Sequence, residues 1–263
     1  MRGLSDQVRI RWIQAKVSFV AEFPVPPVEL RALVGRPDLE SFLEPSDYPL
    51  ELTRRVLDIG CGCGRQARWL LGLERRPERY LGIDIHQGMI EWDRAHLSAP
   101  GFEYVHQDVA SPCLNPNGTL RVTPIPAPDH DFTLVLAISF FTHLVEDQAL
   151  FYLDEVARVL APEGVMHTTW FLFDKRAFPM MQDFQNSLYI NPDDPTNAAI
   201  YDQGWLLRQL SDRGLGIRAV EPPDVRGFHW HLYIGHGLDS VELPPDDAPF
   251  GCRPPPVATE SAP

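Results

Sequence analysis

Three glycines stand at alternate positions in the stretch Val56-Leu57-Asp58-Ile59-Gly60-Cys61-Gly62-Cys63-Gly64-Arg65. An apolar run leads into them, and Gln66-Ala67-Arg68-Trp69-Leu70-Leu71 follows with the pattern of a helix. Glycine turns tightly and lets a ligand approach the main chain, and the start of a helix offers unpaired N–H groups. Spacing limits the ligand. A dinucleotide fingerprint starting at Gly60 would need its third glycine where Arg65 stands, and a phosphate-cradling loop would need Gly-Lys-Ser/Thr, which does not follow. Asp84 closes the next apolar run, Tyr80-Leu81-Gly82-Ile83-Asp84-Ile85, 20 residues after Gly64. A carboxylate there suits a ribose diol, because it can accept from both hydroxyls. Imidazoles are the natural proton acceptors near neutral pH. His143 follows the fourth apolar run by a few residues, while His229 and His231 flank Trp230 on one face of a late strand. His167 falls inside a strand and reads as a core histidine, and His86 follows two residues after Asp84.

The elements around these residues alternate between strands and helices. Phe102 to Val109 reads as a third strand ending at Asp108. Asp131 to Ser139 is nearly continuous in apolar residues, as befits a parallel strand buried on both faces. Glu146 to Leu160 has helical spacing in Leu150, Leu153, Val156, Ala157 and Leu160, and Pro162-Glu163-Gly164 stops it before a fifth strand, Val165 to Phe173. Tyr201 to Arg213 reads as a helix ended by Gly214, and Gly216 to Val220 and His229 to Ile234 as the last two strands. Five prolines make residues 111–130 a long loop. Residues 1–50 form an N-terminal extension, ambiguous over Val8 to Phe23, with a short helix over Val28 to Val34 stopped by Gly35. Residues 51–239 make the main domain, with an insertion at 174–199 rich in aromatic residues and methionine. Residues 240–263 are rich in proline and acid and read as a disordered tail.

The chain has 263 residues, 44% of them hydrophobic, which is enough for one sizeable core. Its net charge of −13 argues against nucleic acid as a partner, which needs basic surfaces. No apolar run is long enough to cross a membrane, no signal-peptide pattern opens the chain, and the four cysteines form no disulfide framework, which favours the cytoplasm. No compact metal-ligand spacing is present, so no metal is expected.

The Asp58 to Gly64 segment resembles the first motif of the class I S-adenosylmethionine (SAM)-dependent methyltransferases. SAM carries no phosphate, and its ammonium and sulfonium suit a carboxylate beside the turn. Ser139-Phe140-Phe141-Thr142-His143-Leu144 is similar to a segment of many members, and Val25 to Gly35 resembles the lead-in of bacterial sugar-type members, where it would act as a lid. The resemblance implies a Rossmann-like α/β fold. A seven-stranded, mostly parallel sheet would carry helices on both faces and an antiparallel last strand. It implies SAM as cofactor, held by Asp58, Gly60, Cys61, Gly62, Gly64, Asp84, Ile85, Met89, Asp108, Val109, Ile138 and Ser139. Asp84 would take the ribose and Asp108 the adenine amino group. His143 would be the base, and Phe141, Tyr189, His229 and His231 would line the acceptor pocket. The activity it implies is O-methylation of a hydroxyl on a saccharide or other small metabolite. Methylation of a small amine and SAM binding without turnover stand as alternatives, and a homodimer is left open.

Overall fold

The computed structural model describes residues 24–36, 38, 48–191, 193–221, 223, 229–237 and 239–243. The expectations for Val8 to Phe23 and for most of the tail lie outside these residues. What is described falls into two compact units. One draws on Met1–Ile138 and Glu155–Met166, the other on Ser139–Asp154 and His167–Pro263.

The first unit is a parallel sheet. Strands β1 (Arg55–Ile59), β2 (Arg79–Asp84), β3 (Phe102–His106) and β4 (Phe132–Ala137) lie in the order β3-β2-β1-β4, with β5 (Leu160–Phe173) beginning next to β4. Register is fixed by pairs such as Leu57 with Leu81 and Leu57 with Val135. Every residue of β4 is buried, as its nearly continuous apolar run requires. Helix α1 (Val28–Leu33) precedes β1, α2 (Arg65–Leu71) joins β1 to β2, and α3 (Gln87–His96) joins β2 to β3. Asp131, buried at the foot of β4, is ion-paired with Arg55 and Arg79 at the matching ends of β1 and β2.

The proline-rich loop is held by two side chains of helix α4 (Glu146–Val159). Arg158 donates to the carbonyls of Ile125 (3.0 Å) and Ala127 (2.7 Å), and Glu155 accepts from the Ile125 amide at 2.7 Å. Proline supplies no N–H donor, so the Pro124–Pro128 part of the loop leans on these side chains, while its first half is closed by backbone bonds such as the Ala110 amide to the Leu120 carbonyl at 2.8 Å. The burial stripe on α4 runs through Ala149, Tyr152, Leu153, Val156 and Val159. It is turned slightly from the expected stripe, with Leu150 and Ala157 only half-buried.

The second unit is mainly antiparallel. The hairpin of β8 (Leu215–Glu221) and β9 (Trp230–His236) has the antiparallel pairing expected of the last strands, and β9 also pairs β5. Two strands come from the insertion and its border, raising the total among the described residues from the seven expected to nine: β6 (Ser187–Tyr189) and β7 (Ala199–Asp202). They pair antiparallel, and β7 runs parallel to the end of β5. The expected helix over Tyr201 to Arg213 is therefore shorter: α5 spans Gln203–Ser211. Asp202 sets the boundary by accepting from the Trp205 amide at 2.8 Å as the N-cap. The periodic apolar pattern runs across this boundary, which is why it was not visible in the spacing.

Gly64 and Gly214 both adopt left-handed backbone, with φ of +68° and +67°. A Cβ at Gly64 would come within 2.2 Å of Leu97 Cδ1 and 2.8 Å of Asp93 Oδ1, whereas one at Gly214 meets nothing within 4 Å. Gly214→Ala is expected to lower the unfolding free energy by about 1 kcal/mol, the backbone term alone. Gly64→Ala adds overpacking and is expected to cost about 3 kcal/mol. Urea unfolding of the two variants measures the difference, and equal losses would contradict this packing.

Candidate functional site

The glycine turn after β1 is bonded to the end of β2. The amides of Gly60 and Cys61 donate to the Ile83 carbonyl at 2.8 and 3.1 Å. The Gly62 amide donates to Asp84 Oδ2 at 2.8 Å, and the His86 amide donates to Asp84 Oδ1 at 2.7 Å. Gly60, Gly62 and Gly64 all have positive φ, so the alternate spacing is a run of left-handed residues that glycine adopts without strain. A Cβ on Gly62 would lie 2.8 Å from Val34 Cγ1 and 4.0 Å from Met89 Sδ. Val34 directly follows α1, so the lead-in segment packs on the turn. Arg68 donates to the Pro24 carbonyl and Arg31 to the Pro26 carbonyl at 3.1 Å, which fixes the start of that segment.

Three carboxyls are buried around this turn: Asp58, Asp84 and Asp93. Burial pushes the Asp58 carboxyl up to about 7, against the lowering effect of its hydrogen bond from the Tyr80 hydroxyl at 2.9 Å. Burial also raises Asp84, opposed by the amides of His86 and Gly62. Asp93 is pushed up to about 9 by burial first and by the neighbouring Asp84 and Asp58 second. Its Oδ1 has no hydrogen-bond partner among the described residues, and its Oδ2 faces the Cys61 thiol at 3.8 Å. The thiols are raised too, Cys63 to about 12, chiefly by burial. Nearby Arg68 is lowered to about 10 by burial, so it keeps its charge at neutral pH, but it is the smallest of the influences on Asp93. A cluster of buried acids this short of positive charge is suited to a cationic ligand.

The remaining cofactor candidates of this unit sit at the strand ends. Ile85 and Ile138 are half-buried, and Val109 is buried. Asp108 is engaged by its own loop: Oδ2 accepts from Thr119 Oγ1 at 2.6 Å, and Oδ1 from Asn115 Nδ2 at 3.4 Å. These bonds, the Thr119 hydroxyl first, hold its carboxyl below the usual range. Oδ1 retains a lone pair for an amino group.

Ser139 and the candidate acceptor residues belong to the second unit. His143 ends a 3-10 turn, Phe141–His143, and is exposed. Its Nδ1 lies 3.0 Å from the Thr196 carbonyl. A carbonyl can only accept, so Nδ1 carries the proton and Nε2 is the basic nitrogen. Phe141 is fully buried and stacked on Trp170 at 4.4 Å, so it is a core residue and does not line a pocket as expected. His231 is half-buried, and its Nδ1 lies 2.9 Å from Nε2 of His167, which stacks on Tyr233 at 4.5 Å. Tyr189, on β6, is 37% exposed and accepts from Ser187 Oγ at 3.0 Å. His229 Nε2 lies 3.5 Å from Ser139 Oγ. Among the described residues no group of three His, Cys, Asp or Glu side chains is placed to hold a metal.

Comparison with known proteins agrees with the turn. Residues 57–168 match the family model described as a methyltransferase domain. The fold is similar to that of a SAM-dependent methyltransferase from Leishmania major, with a TM-score of 0.53, 15% identity, and coverage of 85% of this chain and 82% of that one. Residues 57–168 thus form a methyltransferase domain. The domain is 34% identical over 111 residues to a fatty-acid O-methyltransferase of Mycolicibacterium smegmatis, covering 42% of this chain and 35% of that protein. It is 36% identical over 119 residues to a trans-aconitate 2-methyltransferase of Methylobacterium nodulans, covering 45% and 38%. The matched stretch thus spans little more than a third of either relative. SAM, the cofactor of such domains, carries the positive charge that the buried carboxyls lack.

Several residues that shape this site escaped the sequence reading. Asp93 and Arg68 belong to no motif that points to this site, and Val34 reads only as the end of a short helix. Only tertiary packing shows that all three converge on the turn. Asp93 has a measurable consequence. A carboxyl raised in the folded state contributes stability below its unfolded value, near 4, and loses it as pH rises toward about 9. Between pH 5 and 8, the stability of Asp93→Asn is therefore expected to fall less steeply than that of the wild type, by up to about 1.4 kcal/mol per pH unit. Urea unfolding across that range reads the slopes, and identical slopes would contradict the burial assigned to Asp93.

Proposed function

We propose that this protein methylates an oxygen of a small-molecule acceptor, with a saccharide hydroxyl as the first choice. The observation that carries the methyltransferase reading is the cluster of undercompensated buried carboxyls around the left-handed glycine turn. SAM supplies a methyl group already activated by its sulfonium charge. The chain's own task is to bind it and to orient the acceptor. The Asp58 and Asp84 side chains and the glycine amides would hold the cofactor, and Asp108 the adenine amino group. Residues 24–36, packed on Gly62 through Val34, would cover that site. His143 would take the proton of a hydroxyl acceptor through Nε2, in the tautomer that the Thr196 carbonyl selects. The buried free thiols of Cys61 and Cys63 suit a reducing compartment, which supports a cytoplasmic location.

A second reading is a carboxylic acid acceptor. It is favoured by the two relatives, named for methylating a fatty acid and trans-aconitate. A carboxylate is already ionised at neutral pH and needs no base. One experiment separates the two. Protein supplied with labelled SAM is given saccharides in one series and carboxylic acids in the other, and His143→Ala is compared with wild type on any acceptor that turns over. The hydroxyl reading predicts a drop in kcat of about 100-fold at pH 7. Label passing only to carboxylic acids, with kcat unchanged in the variant, would replace it with the second reading. Label bound but never transferred would leave a SAM-binding module.

A further inference from the structure

Ser139 is a residue in an unfavourable conformation held by two buried clamps. Its φ is +57°, a left-handed value that a residue with a Cβ adopts only when its surroundings enforce it. Its amide donates to Thr169 Oγ1 at 2.7 Å, and its carbonyl accepts from Thr142 Oγ1 at 3.0 Å. Both threonines are completely buried. A glycine would adopt this backbone without strain, so the strained serine points to a use for its side chain. That hydroxyl is half-exposed and faces His229 Nε2 at 3.5 Å, the long end of hydrogen bonding. The imidazole is half-exposed too, and is braced edge-on by Phe171, with ring centroids 4.8 Å apart. Two half-exposed polar groups 3.5 Å apart can face one outside partner together.

We infer that Ser139 and His229 form a two-point fork for a pair of adjacent oxygens on the acceptor, so that Ser139 positions the acceptor rather than contacting the cofactor. The inference rests on the methyltransferase reading above and narrows its substrate class. Adjacent oxygens are presented by a vicinal diol or by a carboxylate. A hydroxyl can donate to or accept from either, and an imidazole can do the same in its two tautomers. The fork thus selects against acceptors that offer a single isolated heteroatom.

The test uses the full chain and the variants Ser139→Ala, Ser139→Gly and His229→Gln. SAM affinity is measured by calorimetry, and the His229 imidazole resonance, assigned from its loss in His229→Gln, is followed by NMR as probes are added. Methyl mannoside and its 2-deoxy and 3-deoxy analogues form the diol arm; laurate and trans-aconitate form the carboxylate arm. We expect Ser139→Ala and Ser139→Gly to bind SAM within about twofold of wild type. The His229 resonance should shift with one arm in wild type and respond at least tenfold more weakly in both variants. Where that arm is also turned over, KM should rise at least tenfold in both. A shift with methyl mannoside that is lost when either the 2-hydroxyl or the 3-hydroxyl is removed identifies the 2,3-diol, and a shift with the acids identifies a carboxylate. Ser139→Gly behaving like wild type would show that only the turn matters and would overturn the fork. A large loss of SAM affinity in the Ser139 variants would overturn it in favour of a cofactor contact. Wild type that binds SAM while His229 answers neither arm overturns the fork alone; wild type that binds no SAM overturns the functional reading itself.

Discussion

The bond from the Gly62 amide to the Asp84 carboxylate, 2.8 Å long and buried, is the constraint on which the first unit's site depends. It joins the turn after β1 to the end of β2, and the paired amide of His86 holds the other carboxylate oxygen. Each contact needs the others. The amide reaches Asp84 because the turn is left-handed at Gly60, Gly62 and Gly64, and the turn closes because Gly60 and Cys61 donate to Ile83. Burial would drive Asp84 toward its neutral form, and the two amides oppose this by favouring the charged one. The acids behind it, Asp58 and Asp93, have less help, so their protons are held into the neutral range and above. Fold and chemistry are linked here by electrostatics. Strands β1 and β2 and helix α3 bring together carboxyls that burial holds toward their neutral forms, and a cationic ligand would favour the charged ones.

In the second unit the corresponding constraint is conformational. The hydroxyls of Thr142 and Thr169 fix the backbone of Ser139 in a region that serine avoids. The rest of that unit is ordinary packing: Phe141 on Trp170, Tyr201 on Trp205, and His167 between His231 and Tyr233. Strain held by buried hydrogen bonds amid well-packed aromatic residues is what marks Ser139 out.

The parallel strands and the glycine turn were legible because local pattern determines them: nearly continuous apolar runs, and glycine where only glycine turns freely. Asp84 was legible for the same reason, as the acid that closes a strand. The boundary between β7 and α5 was not, since Asp202 caps the helix from within a run that already looked helical. Phe141 was misplaced because an aromatic residue beside a reactive-looking histidine reads equally well as pocket or core, and only its stacking partner decides. Asp93 and the Ser139 backbone left no trace in the spacing. One is defined by burial, with its Oδ1 unpaired among the described residues, the other by threonines 3 and 30 residues away.

The central claim is that the carboxyl-lined glycine turn binds a cationic adenosyl ligand. Titration of pure protein with SAM by calorimetry, at pH 6 and pH 8 and in buffers of different ionisation enthalpy, tests it most directly. Placing a positive charge beside carboxyls that titrate near and above neutrality lowers them, so the account predicts binding that releases protons and tightens from pH 6 to pH 8. No detectable binding, or binding without proton release and with the same affinity at both pH values, would contradict it.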